Sequence, residues 1–129
     1  MRENSVAQRM QLEAAQLNIL TMRNNVGACE DATGRFIRYG LMNESIKQNK
    51  EIKSSDYIGI TPTWCFVEGI GWGYLGVFTA AETKASNWKF SAADERAVAQ
   101  DKFHQIVRGY GGYAGFVTGP GDLQRICRR

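Results

Sequence analysis

At 129 residues, with 43% hydrophobic residues and only 2 prolines, the chain can bury a core of its own and is expected to form a single domain, 1–129. Its 3 cysteines (Cys29, Cys65, Cys127) are odd in number and lack CxxC spacing, which argues against a disulfide scaffold or a zinc ribbon and predicts a reducing cytoplasm. A net charge of +3 does not by itself name a nucleic-acid partner.

No run nears the roughly 18 apolar residues of a membrane span, and MRENSVAQRM has no apolar signal region. The expectation is a soluble intracellular protein without a membrane partner. Basic residues do cluster: Arg9, Arg23, Arg35 and Arg38, then Lys47, Lys50 and Lys53, and finally Arg125, Arg128 and Arg129. Such clusters supply phosphate contacts or simply form solvated faces.

Ser5 with Gln8 has the form of a capping box and predicts a helix from about Val6. Val6, Met10, Ala14, Leu17 and Leu20 would form its apolar stripe, which stops at RNNVGA near Arg23. Cys29–Leu41 reads as a short hairpin with Asp31 and Gly34 at the turn. The polar, lysine-rich MNESIKQNKEIKSS has no clear period and reads as an exposed, mobile loop.

The densest β signal follows. DYIGI is one predicted strand, Pro62 ends it, TWCFVEG is a second, and GYLGVFTAAETK is a third after the GIGWG turn. Ser91 with Asp94 predicts a helix to about Tyr110, with Ala93, Gln100, Phe103 and Val107 on one face. GYGG ends it, YAGFVTG is a further strand, and GDLQRICRR a short basic helix. The order, α-β-β-β-α-β-α, predicts an α/β fold with a mixed central β-sheet flanked by helices.

Asp56, Glu82 and Lys84 carry the chemistry. Residues two apart in a strand share a face, so Glu82 and Lys84 point together while Thr83 turns away. Two carboxylates that hold a hard cation, with an amine beside them, suit phosphodiester hydrolysis. The alternatives are an ordinary ion pair for Glu82–Lys84 and a turn residue for Asp56. His104, the only histidine, reads as a structural helix residue rather than a catalyst. Trp64, Trp72 and Trp88 read as packing residues, with base stacking as the alternative.

SSDYIGITP, GVFTAAETK, a helix bearing AQ and then GGYAGFV, in that order and preceded by RNNVGA, resemble the PD-(D/E)XK nuclease superfamily. The likeness is greatest to its small stand-alone VRR-NUC members, common in phage genomes and acting in a host cytoplasm. The resemblance implies a restriction-endonuclease-like core and Mg²⁺- or Mn²⁺-dependent hydrolysis of DNA. It implies catalytic roles for Asp56, Glu82, Lys84 and Gln100, and metal ligation by Asp56, Glu82 and the backbone carbonyl of Thr83. Ser55 stands where many members have proline. A first-helix acid is also implied, for which Gln8 and Glu13 are the candidates.

Arg23, Asn24, Arg35, Arg38 and Lys53 are candidate nucleic-acid contacts, while Arg23 and Asn24 read equally as a helix end and a turn. The expected substrate is branched, flapped or nicked DNA rather than a base sequence, cut by a homodimer that presents two sites to two strands. A non-catalytic DNA-binding or recruitment module on the same fold, or an RNA-directed nuclease, are the alternative functions.

Overall fold

A computed structural model describes residues 1–128. Helix α1 spans Glu3–Gln16 and is followed by strands β1 (Leu20–Arg23), β2 (Gly27–Glu30) and β3 (Phe36–Tyr39). Helix α2 (Ile46–Glu51) leads to β4 (Tyr57–Val67) and β5 (Gly71–Thr83). The chain closes with α3 (Glu95–Gly109), β6 (Tyr113–Val117) and α4 (Asp122–Arg128). The fold is mixed α/β: a four-stranded sheet in the order β1-β4-β5-β6 carries helices on both faces.

β1, β4 and β5 pair antiparallel, whereas β6 joins β5 in parallel after the α3 crossover. One face of the sheet buries Tyr57, Ala81, Tyr113 and Val117 against Val6, Met10 and Ala14 of α1 and Leu123 and Cys127 of α4. The other buries Ala80 and Ala114 against Phe103 and Val107 of α3. β2 and β3 form a separate two-stranded sheet. Its turn follows the expected chemistry: Asp31 Oδ1 accepts from the backbone N–H groups of Thr33 and Arg35, and Gly34 adopts a φ of 81°.

Several expectations are corrected. The first helix starts at Glu3 with Arg2 as an N-cap that makes no side-chain bond, so Ser5 and Gln8 do not form its cap. That helix also ends earlier, because Asn18 at a φ of 58° reverses the chain. Leu20 is therefore exposed in β1 rather than on a helical stripe. The lysine-rich segment is helical over α2, where the Ser45 side chain accepts from the Gln48 N–H.

Pro62 does not end a strand. β1 pairs with β4 only as far as Ile60, so Pro62 falls where β4 has become an edge strand, the setting that tolerates a missing donor. The Ser91–Asp94 box does not form either: Asp94 is itself the N-cap of α3, accepting from Ala97 N–H, so the helix starts later than expected and Ala93 lies ahead of it, exposed. Gly59 is required by close packing, since a Cβ there would collide with the Leu20 carbonyl.

Candidate metal centre

Asp56 stands at the entry to β4 and Glu82 one residue before the end of β5, so the antiparallel register brings them together. The Asp56 N–H donates to Glu82 Oε2 at 2.8 Å. Gln100, on the buried face of α3, donates from Nε2 to Glu82 Oε1 at 2.7 Å. Lys84 Nζ lies 3.9 Å from the same oxygen, and 5.5 Å from the centre of the Trp88 ring. Three of the expected site residues, Asp56, Gln100 and Lys84, thus converge on the carboxylate of a fourth, Glu82. Thr83 is buried beside it, on the opposite side of the strand.

The segment before Asp56 is pinned from two directions. Asn24 donates from Nδ2 to Ser54 Oγ at 2.9 Å and to the Ser55 carbonyl at 2.8 Å, while its backbone N–H donates to the Asp56 carbonyl at 2.7 Å. Its Oδ1 accepts from Leu41 N–H. On the other side, Ser55 Oγ lies 2.8 Å from His104 Nε2, and both residues are fully enclosed. Asn24 and His104 are therefore structural supports of the centre: buried groups whose hydrogen bonds fix the backbone that presents Asp56. Ser55 uses its hydroxyl for this purpose.

The electrostatics follow from burial. Glu82 is 2% exposed, and desolvation, reinforced by the charge of Asp56, pushes its carboxyl up to about 8 from an ordinary 4.5. Lys84 and Arg96 oppose that shift without cancelling it. His104 is held down at about 4 by desolvation and then by the charge of Arg108, so its ring is neutral.

A cleft of about 560 Å³ opens over this centre, lined by Asp56, Gln100, Asn24, Arg23, Lys53 and Arg96 among others. The Arg23 guanidinium is raised by its hydrogen bond to the Tyr57 hydroxyl and by the nearby Asp56 and Glu82 charges. The Lys53 ammonium is lowered by burial and by Arg96. Arg96 went unnoticed in the sequence, although it precedes Gln100 by four residues and so shares its side of the helix.

Other expected contacts lie elsewhere. Arg38 donates to Asn43 Oδ1, packs over Phe36, and lines a neighbouring groove with Lys53 and Arg96. Arg35 is exposed at the β2–β3 turn and lines neither space. Glu13 does not join the centre: its two oxygens accept from Gly121 and Gln124 N–H and hold the start of α4. Gln8 is exposed on α1. Arg125 pairs with Asp122 at 3.3 Å, and Arg129 lies outside the described residues.

Asp56 and Glu82, both oxygen donors, are the side chains here that could hold a hard cation such as Mg²⁺. No three His, Cys, Asp or Glu side chains gather into a cage among the described residues. Two carboxylates with amide or carbonyl oxygens are instead what Mg²⁺ uses when it keeps several waters. Gln100 Oε1, buried without a hydrogen-bond partner beside Glu82, adds a spare oxygen acceptor.

The fold and site together define an α/β protein with a mixed sheet and a buried acidic–basic centre at one end of it. Compared with family models, curated proteins and solved structures, the chain matches none. No helix among the described residues is long and apolar enough to cross a membrane.

Proposed function

We propose that the chain is a Mg²⁺- or Mn²⁺-dependent endonuclease that hydrolyses DNA phosphodiesters on a restriction-endonuclease-like core. The observation that carries this reading is the convergence of Asp56, Lys84 and Gln100 on Glu82, beneath a cleft lined by Arg23, Lys53 and Arg96. Asp56 and Glu82 would hold the cation, with the Thr83 carbonyl as a further ligand and Gln100 Oε1 as an acceptor for its water. When bound, the cation lowers the pKa of a water and offsets the charge that builds on the phosphoryl oxygens.

The chain's own residues divide the remaining work. Gln100 Nε2 fixes the rotation of the Glu82 carboxylate, and the Asp56 N–H fixes its other oxygen. Lys84, steadied over Trp88, places positive charge beside the site of attack. Arg23, Lys53 and Arg96 would neutralise flanking phosphates and set the strand across the cleft. Nothing in this arrangement reads base edges, so selectivity for branched, flapped or nicked DNA is the expected kind. Two copies would present two centres to two strands.

A non-catalytic DNA-binding module is the second reading. It is favoured by one observation: both Glu82 oxygens already accept hydrogen bonds, and the carboxyl is held neutral-leaning at pH 7. A panel of plasmid, branched, single-stranded DNA and RNA, incubated with Mg²⁺, Mn²⁺ or a chelator, separates the two. Metal-dependent cleavage of DNA supports the nuclease. Binding without cleavage under every condition supports the module, and cleavage of RNA with matched DNA untouched would redirect the substrate.

A further inference from the structure

The β4–β5 hairpin continues well past the body of the sheet. β1 accompanies β4 only from Tyr57 to Ile60, and β6 accompanies β5 only from Thr79 to Thr83. Residues 61–78 therefore form a two-stranded arm with no further strand of the described residues on either side. On one face of this arm Trp64 faces Tyr74 and Phe66 faces Trp72 across the ladder. Trp64 stacks on Trp72 with ring centres 6.2 Å apart, and Phe66 lies 5.7 Å from Trp72. These four rings are 57%, 71%, 58% and 65% exposed for Trp64, Tyr74, Phe66 and Trp72 respectively. Ile60 and Phe78 carry the same exposed apolar face back to the root of the arm.

We propose that this face docks a second copy of the chain, arm upon arm about a two-fold axis. The inference gives a surface to the two-copy part of the reading above, and does not depend on the nuclease chemistry. Charge selects the occupant. From Tyr57 to Ala81 the only charged residue is Glu68, at the hairpin turn. A platform for single-stranded nucleic acid interleaves its aromatics with cations, and this one has none. An uncharged aromatic face finds its complement in another like it.

Area agrees. Aromatic side chains of roughly 150–250 Å² each, about six-tenths exposed, leave with Ile60 and Phe78 on the order of 700 Å², close to one partner's share of a standard interface. Pro62 lies on the open edge of β4 and disfavours growth of the ladder there, and the exposed aromatic area lies on the face of the arm, so the contact proposed is face to face.

The arm is also self-complementary along its length. At its root an apolar groove of about 410 Å³ is bordered by Phe78, Ile106 and Tyr110. At its tip Ile70 is 86% exposed. Two antiparallel arms of equal length bring each tip to the other's root, so Ile70 of each copy enters the groove of its mate. Such reciprocity is what a closed two-fold dimer requires. Glu82 sits on the same sheet face at the far end of β5, about 26 Å along the strand from Tyr74. The two centres are thus held apart at opposite ends of the joined arms.

Sedimentation equilibrium of the purified chain, without metal or nucleic acid, tests this directly. The expected mass at micromolar concentration is twice 14.4 kDa. Trp72→Glu should raise the dissociation constant about 30-fold or more, as expected of a central aromatic anchor. Leu12→Glu, on exposed α1 surface, should leave it unchanged. If circular dichroism shows Trp72→Glu to be unfolded, Trp64→Ser supplies the same reading with a smaller perturbation. A wild-type mass of 14.4 kDa throughout, or a dimer indifferent to both tryptophan substitutions, would overturn the proposal. So would tryptophan quenching by a single-stranded oligonucleotide that Trp64→Ser abolishes, which would assign the face to nucleic acid. A chain that sediments as a dimer but cuts nothing would instead count against the nuclease reading alone.

Discussion

The Asp56 backbone N–H donates to Glu82 Oε2 at 2.8 Å, so the two acids of the centre are joined through main chain although their like charges repel. The bond explains how Glu82 survives burial at 2% exposure: its oxygens are met by Asp56 N–H and Gln100 Nε2. It also means that Asp56 cannot shift without disturbing Glu82. The centre is held together by backbone and side-chain hydrogen bonds within the chain itself.

Stability without metal should vary with pH in a defined direction. The folded-state pKa of Glu82, about 8, lies above its ordinary 4.5 because of burial and then the Asp56 charge. The folded protein therefore binds the extra proton between these values, and its stability falls as pH rises from about 4.5 to 8. Glu82→Gln removes this slope, and Gln100 can turn its amide so that its unpartnered Oε1 accepts from the new Nε2. Thermal melts of both proteins in chelator at pH 5 to 8 check it. Equal slopes would argue against the shift.

His104 produces the opposite slope at lower pH. Desolvation, and then Arg108, hold it at about 4 against an ordinary 6.5, so the unfolded chain takes up the proton first as pH falls. The stability its neutral form contributes is present above pH 6.5 and is lost toward pH 4. As the chain has one histidine, its ring proton resonance is unambiguous. It should not titrate between pH 8 and 5 in the folded protein, and a midpoint near 6.5 would mean the ring is solvated.

Asn24→Ala should damage the centre from outside it. The side chain makes two donor bonds to residues 54 and 55 and one acceptor bond to Leu41. Its removal leaves buried backbone groups unpaired and should cost about 1–3 kcal/mol. Urea unfolding measures that loss. Metal affinity, read by calorimetry, should drop about 10-fold or more as Asp56 loses its support.

Arg96→Ala and Lys53→Ala should weaken DNA binding evenly across sequences. Each removes one cation from the cleft, so the slope of log affinity against log salt should lessen by about 1 per substitution. Arg35→Ala, at the exposed turn, should leave the slope unchanged. Fluorescence anisotropy over a salt series distinguishes them.

Much of this architecture is legible in local sequence chemistry. Asp31 and Gly34 define the β2–β3 turn, and the aromatic, β-branched run marks β4 and β5, while the existence of α3 is legible but its cap is Asp94 rather than Ser91. Where legibility failed, a physical competitor is visible. Leu17 and Leu20 happen to continue the helical spacing of α1, yet Asn18 turns the chain so that Leu20 pairs with Ile60 in β1. The short helix α2 buries none of its residues, so it has no apolar period and only the Ser45 cap signals it. Residue types and strand spacing point to Asp56, Glu82 and Lys84, whereas Gln100 is expected there only from the family resemblance. Glu13 fails as a fifth member because its carboxylate is committed to α4, a tertiary contact spanning more than a hundred residues.

Cleavage of a labelled branched duplex, followed with Mg²⁺ and in chelator for the wild type and for Lys84→Ala, tests the central claim most directly. The ammonium sits 3.9 Å from Glu82 Oε1 and is 12% exposed, so the substitution removes charge at the centre without touching the supports around Asp56. Mg²⁺-dependent cutting by the wild type is expected, with a loss of about 100-fold or more in the variant and DNA binding retained. Cutting that persists in chelator, or that Lys84→Ala leaves unaltered, would contradict that claim.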